Sequence, residues 1–98
     1  MVKEIIWSNE IVEDIEDVLK YWAFHNKSNV YSDKLLSEIY LSVDLIQKIP
    51  TIGNPTNNPI IRGQIVANHF YIFYEITKNK IILTRFWDGR RNPKSIKF

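Results

Sequence analysis

The stretch "PTIGNPTNNP", Pro50 to Pro59, carries three of the chain's four prolines, one glycine and three asparagines. Proline lacks an N–H donor and fixes its own φ, and asparagine and glycine favour turns, so no regular helix or central strand runs through it. It is a loop, and the main internal boundary of the 98-residue chain. On its N-terminal side apolar residues recur with a helical period. On its C-terminal side they come in short runs rich in β-branched and aromatic residues. The fold class follows from what stands on either side of it.

Working back from Pro50, Leu35, Leu36, Ile39, Tyr40, Val43, Ile46 and Ile49 form one apolar stripe. The spacing predicts a helix that begins between Ser28 and Ser32 and stops before Pro50, since proline disfavours helical backbone in the residue before it. The polar stretch "NKSNVYSD" (26–33) separates it from an earlier stripe, Ile11, Ile15, Val18 and Trp22, joined by Val12 and Leu19. That helix is expected to be capped by Ser8 or Asn9, with Glu10, Glu13 and Asp14 favoured by the dipole in its first turn, and to run to about His25. "KEIIWS" (Lys3–Ser8) reads as a strand. Two helices with a short polar link predict an antiparallel helical hairpin.

Working forward from Pro59, "IIRGQIV", "HFYIFYEIT" and "KIILTRFW" predict strands at about 60–66, 69–77 and 80–87. The dipeptides "AN" and "KN" between them are of hairpin length. The order is β-α-α-β-β-β. The expected architecture is α+β: a helical hairpin packed on one face of an antiparallel sheet, in one domain spanning 1–98. The other sheet face is then left exposed or bound to a partner.

Composition narrows the chemistry. The chain has no cysteine, which excludes disulfides, thiolate nucleophiles and cysteine-based zinc sites. No apolar run approaches a membrane span and the N-terminus lacks a signal-peptide core, so a cytoplasmic location is expected. The net charge of +2 hides a strong asymmetry. Residues 1–49 hold five lysines against nine carboxylates, a net −4. Residues 50–98 hold eight basic residues, including all four arginines, against two carboxylates, a net +6. A basic half of this kind suits phosphate or an acidic partner.

Few residues offer chemistry. His25 falls at the end of the first helix, where it complements the dipole. His69 starts the middle meander strand and is the one candidate general base of its type. Two histidines so far apart give no metal-ligand spacing, and no cofactor is expected. Asp88 stands alone among basic residues at the end of the last strand, as a turn former, a base, or the ion-pair partner of Arg90 or Arg91. Arg62 and Arg85 fall on strands, with Arg90 and Arg91 after the last one, and arginine binds phosphate or carboxylate through a planar fork of donors. The aromatic residues Phe70, Tyr71, Phe73, Tyr74, Phe86 and Trp87 suit base stacking, though so small a chain needs most of them in its core.

In this order and at this length, the pieces "YW" ending the first helix, "S…Y…KLL…I", "IPTIG", "IIRGQIV", "HFYIFYEI" and "FWDGRRNP" resemble the RelE/ParE superfamily of bacterial toxins from toxin–antitoxin pairs. The resemblance covers nearly the whole chain. It implies a toxin neutralised by a cognate antitoxin, which wraps an extended or helical segment around it and often represses the shared operon, so that operator DNA is met only through the antitoxin. Two mechanisms are implied. RelE-like members cut mRNA in the ribosomal A site without a metal, by attack of the ribose 2′-OH on the adjacent phosphate. That reaction needs an acid, a base and cations for the charged transition state. ParE-like members poison DNA gyrase.

Residue by residue, the resemblance sets Arg62 at the family's basic position on the first meander strand and Arg90 at the arginine after the last. Gln64 stands where RelE-like nucleases have a second lysine, Tyr71 where they have an arginine, and Asp88 near the place where many have histidine. "NPKSIKF" offers no late tyrosine. Neither glutamine nor a neutral tyrosine supplies a charge. These departures favour a ParE-like toxin. The alternative is RNA cleavage, with His69, Tyr71 and Asp88 as a rearranged acid–base set beside Arg62, Arg90 and Arg91.

Overall fold

A computed structural model describes residues 2–26 and 29–90. Strand β1 (Glu4–Trp7) leads into helix α1 (Asn9–Asn26) and helix α2 (Val30–Lys48). A 3-10 turn (Pro50–Ile52) and a two-residue strand β2 (Asn54–Pro55) follow, then β3 (Ile61–Val66), β4 (Phe70–Ile76) and β5 (Lys80–Asp88). The predicted helices and meander strands are all present. The segment expected to be plain loop adds one short edge strand, because Asn54 and Pro55 pair antiparallel with Gly63 and Arg62.

Ser8 caps α1 as expected. Its hydroxyl accepts from the Ile11 N–H at 3.1 Å and its carbonyl from Val12 N–H. The same hydroxyl donates to Thr84 O, so the cap also ties the helix start to β5. α2 ends at Lys48, two residues before Pro50. The link between β3 and β4 is longer than the expected dipeptide. Val66 pairs with Phe70 and leaves Ala67, Asn68 and His69 as the loop, with Ala67 at φ 50° and Asn68 at φ 74°.

The sheet runs β1-β5-β4-β3-β2. Its meander is antiparallel, but β1 lies parallel to β5, with Glu4 beside Lys80 and Trp7 beside Leu83. The uniformly antiparallel sheet expected from sequence needs that correction. Strands linked by tight hairpins must reverse direction, whereas β1 reaches β5 only after the whole helical layer and so escapes the constraint.

Alternation along the strands sorts the sheet into two faces. Phe70, Ile72 and Tyr74 on β4, with Leu83 and Phe86 on β5, meet Ile11 and Ile15 of α1 and Leu35, Ile39, Val43 and Ile46 of α2 in the main core. Each fully buried aliphatic or aromatic side chain there contributes about 1.5–3 kcal/mol. Tyr71, Phe73 and Trp87 point to the other face. Trp87 is buried there, opposite Tyr71, and so does not belong to the core cluster under the helices. A bulge at Phe73/Tyr74 shifts the β4–β5 register, and Thr84 Oγ1 donates to Phe73 O beside it.

Candidate functional site

Beyond Leu83, β5 runs past the end of β1, and its backbone needs other partners. Asp14 of α1 supplies one. Its carboxylate accepts from Arg85 Nε at 2.7 Å, from Arg85 Nη2 at 3.0 Å and from the Phe86 N–H at 3.1 Å. The bond to Asp14 raises the Arg85 pKa above the ordinary guanidinium value. Arg85 therefore fixes the helix to the sheet. From sequence, Asp14 is expected only as an acid favoured by the dipole in the first turn of α1. Asp14 lies three residues from Ile11 and four from Val18, on the apolar stripe itself, and a carboxylate there signals an internal partner.

Arg62 is also engaged. Its Nη1 donates to Gly53 O at 2.8 Å and to Thr51 O at 3.3 Å, holding the turn after α2 against β3. Tyr74 secures the same turn from beneath. Its hydroxyl donates to Pro50 O at 2.7 Å and accepts from the Gly53 N–H at 2.9 Å. Burial raises the Tyr74 pKa above the usual phenol value. A Cβ on residue 53 would stand 2.6 Å from that hydroxyl, which gives the glycine of "IPTIG" its physical reason.

At the opposite end of the sheet the other candidates gather. Arg62 is paired with Tyr74 and Asp88 with Phe70, so four residues of β4, or roughly 13 Å, separate the two ends. The Gly89 N–H donates to His69 O at 2.6 Å, joining the β3–β4 loop to the end of β5. A Cβ at Gly89 would meet the Tyr71 ring at 2.7 Å and His69 O at 2.8 Å, so Tyr71 lies across the glycine. Asp88 receives Arg90 in a fork: Nε to Oδ1 at 3.0 Å and Nη2 to Oδ2 at 2.8 Å, with the Arg90 N–H also on Oδ1. The bond to Arg90 holds the Asp88 carboxyl below the usual carboxylate range.

These candidates share one end of the sheet but not one face. Asp88 lines a cleft of about 300 Å³ on the helix side, with Phe70, Phe86, Arg90 and residues of α1. Tyr71 lines a hollow on the other side, with Phe73, Trp87 and Gly89. His69 Nε2 is buried and has no hydrogen-bond partner among the described residues. Gln64 donates to the carbonyl of its neighbour Ile65. Arg91 and "NPKSIKF" lie outside the described residues. No group of three or more metal-ligating side chains occurs among the described residues, and no described helix is long and apolar enough to cross a membrane.

A two-helix layer on one face of a five-stranded, mostly antiparallel sheet is a RelE/ParE-like α+β fold. The structure is similar to a chain described as "Chromosomal ParDE TA system from P. aeruginosa", with a TM-score of 0.78 and 14% sequence identity, over 89% of this chain and 96% of that one. At that identity the likeness speaks for the fold. No curated protein matches the sequence. The family described as the ParE toxin of the type II toxin-antitoxin system, parDE, matches residues 5–93, and the chain belongs to that family.

Proposed function

We propose that this toxin inhibits growth by binding a protein target, with DNA gyrase the ParE-like precedent, and that Arg90 and Arg91 make the decisive contacts. What carries the reading is the engagement of the cations. Arg62 is bound to main-chain carbonyls and Arg85 to Asp14. Phosphodiester cleavage calls for convergent acid, base and cation around one phosphate. Here Tyr71 and Asp88 lie on opposite faces, and His69 presents no accessible Nε2. Arg90, with a side chain 58% exposed, offers its remaining donors to a partner while Asp88 fixes its direction.

A cognate antitoxin would neutralise the chain by laying an amphipathic segment into the groove where β1 meets the helices. Trp7, Val12, Leu19, Leu36 and Tyr40 line that groove, and Trp7 and Tyr40 meet edge to face at 5.9 Å. An antitoxin carboxylate near Arg90 would add charge complementarity.

The deciding experiment incubates the purified chain in parallel with gyrase and supercoiled DNA, and with translating ribosomes. Loss of supercoiling activity with intact mRNA is the expected result. New 5′ ends on ribosome-bound mRNA would instead establish the RelE-like reaction.

A further inference from the structure

Helix α2 buries one side and leaves a second apolar stripe on the other. Leu35, Ile39, Val43 and Ile46 lie in the core. Leu41 and Leu45 point outward, 63% and 37% exposed, with Ile49 just past the helix end at 50%. Single exposed leucines are ordinary. These two belong to a series, Lys34, Glu38, Leu41, Leu45 and Lys48, whose steps of four, three, four and three residues are those of a coiled-coil seam. Such a seam runs along one side of a helix and fits a second helix. The groove at Trp7 and Tyr40 lies round the helix from it and is lined by none of the five.

We infer that the occupant of this seam is α2 of a second copy of the chain, running antiparallel about a two-fold axis level with Val43. In a two-fold contact each residue is faced by the one it faces, so every pairing occurs twice. With the axis at Val43, Leu41 faces Leu45 of the second copy, Glu38 faces its Lys48, and the small Ser37 faces its Ile49. Charge sets the register. Moved one turn, with the axis at Leu41, the contact sets Lys34 against Lys48 and Glu38 against Asp44, which repel. Moved one turn the other way, with the axis at Leu45, it leaves Glu38 opposite Ile52, beyond the helix end. Neither Glu38 nor Lys48 makes an ion pair among the described residues of its own chain. A partner helix needs a leucine opposite each leucine and opposite charges at the two ends, and α2 reversed supplies both. Two leucine pairs and two exposed ion pairs make a small contact, so the dimer is weak and concentration-dependent. The inference does not depend on which target the toxin attacks.

The test follows the full chain, without antitoxin, by sedimentation velocity up to about 1 mM, a range that populates contacts of this size. The mean mass should climb from monomer toward dimer. Glu38→Lys and Lys48→Glu should each weaken association about tenfold, as turning two exposed attractions into repulsions implies. The double variant Glu38→Lys/Lys48→Glu should restore it. Leu41→Asp should leave the chain monomeric with its melting midpoint intact, since the side chain is exposed. The chain has no cysteine, so Leu41→Cys and Leu45→Cys proteins, mixed under mild oxidant, report the register. A disulfide between the two variants should form faster than one between copies of either. A chain that stays monomeric, a double variant no better than either single one, or tighter association in Lys48→Glu alone would each overturn the proposal. Should the chain stay monomeric while Leu41→Asp loses the antitoxin, the seam belongs to the antitoxin instead.

Discussion

Asp88 grips Arg90 through both carboxylate oxygens, two positions apart across the Gly89 turn, and takes the Arg90 backbone N–H as well. A bidentate pair of this kind fixes the plane of the guanidinium and so the direction of its unused donors. Because the folded Asp88 pKa lies below its ordinary value, the pair's contribution to stability is fully present above the usual aspartate range. It is lost as pH falls through the depressed value. A ¹³C titration of the Asp88 carboxyl should place its midpoint below that of an unstructured aspartate. In Arg90→Ala the midpoint should return toward the ordinary value.

Arg90→Ala is expected to abolish growth inhibition with only a small drop in the thermal midpoint, since the side chain is mostly exposed and a surface ion pair contributes little. Arg62→Ala should do the reverse in degree, lowering the midpoint by releasing the turn at Thr51 and Gly53. Induction in a strain lacking the antitoxin, scored beside melting curves of the purified variants, separates the two. An Arg90→Ala protein that still arrests growth would remove Arg90 from the functional surface.

Asp14→Ala should destabilise the fold by about 2–3 kcal/mol. The change leaves the Phe86 N–H and the Arg85 guanidinium without their shared acceptor, and bonds to charged groups carry more than neutral ones. Urea unfolding gives the value directly. A cost near zero would mean that water replaces the carboxylate at the open edge of β5.

Tyr74→Phe should cost about 1–3 kcal/mol, because the Gly53 N–H and Pro50 carbonyl lose their partner where little water reaches. Gly53→Ala meets the same hydroxyl from the other side and should cost at least as much. Combined as Tyr74→Phe/Gly53→Ala, the losses should be smaller than their sum, which a double-mutant cycle measures.

Ala67→Gly should stabilise the protein by about 0.5–1 kcal/mol. Left-handed backbone costs an L-residue about 1–2 kcal/mol, and the entropy of an added glycine offsets part of the relief. Thermal denaturation of the single variant is sufficient to check the sign.

The two helical stripes and the three meander strands were legible because each has one buried face, and periodicity records that directly. The parallel pairing of β1 was not, since a four-residue strand carries no mark of its neighbour's direction. Arg90 and Asp88 were legible as a local pair across a turn. The engagement of Arg62 and Arg85 was not, because their acceptors lie 9 and 71 residues away. Charge along the sequence says which residues are ionised. It does not say which cations the fold consumes internally.

The β1–β5 pairing also bears on how the toxin is made. Residues 4–7 have residues 80–83 as their neighbour in the sheet, and the cap at Ser8 bonds a carbonyl 76 positions downstream. β1 stays unpaired until residues 80–83 have emerged, and a nascent fragment that stops within β4 lacks both the partner strand of β1 and the Asp88–Arg90 fork. The sheet therefore closes through a pairing of high sequence separation, the kind that forms late in folding.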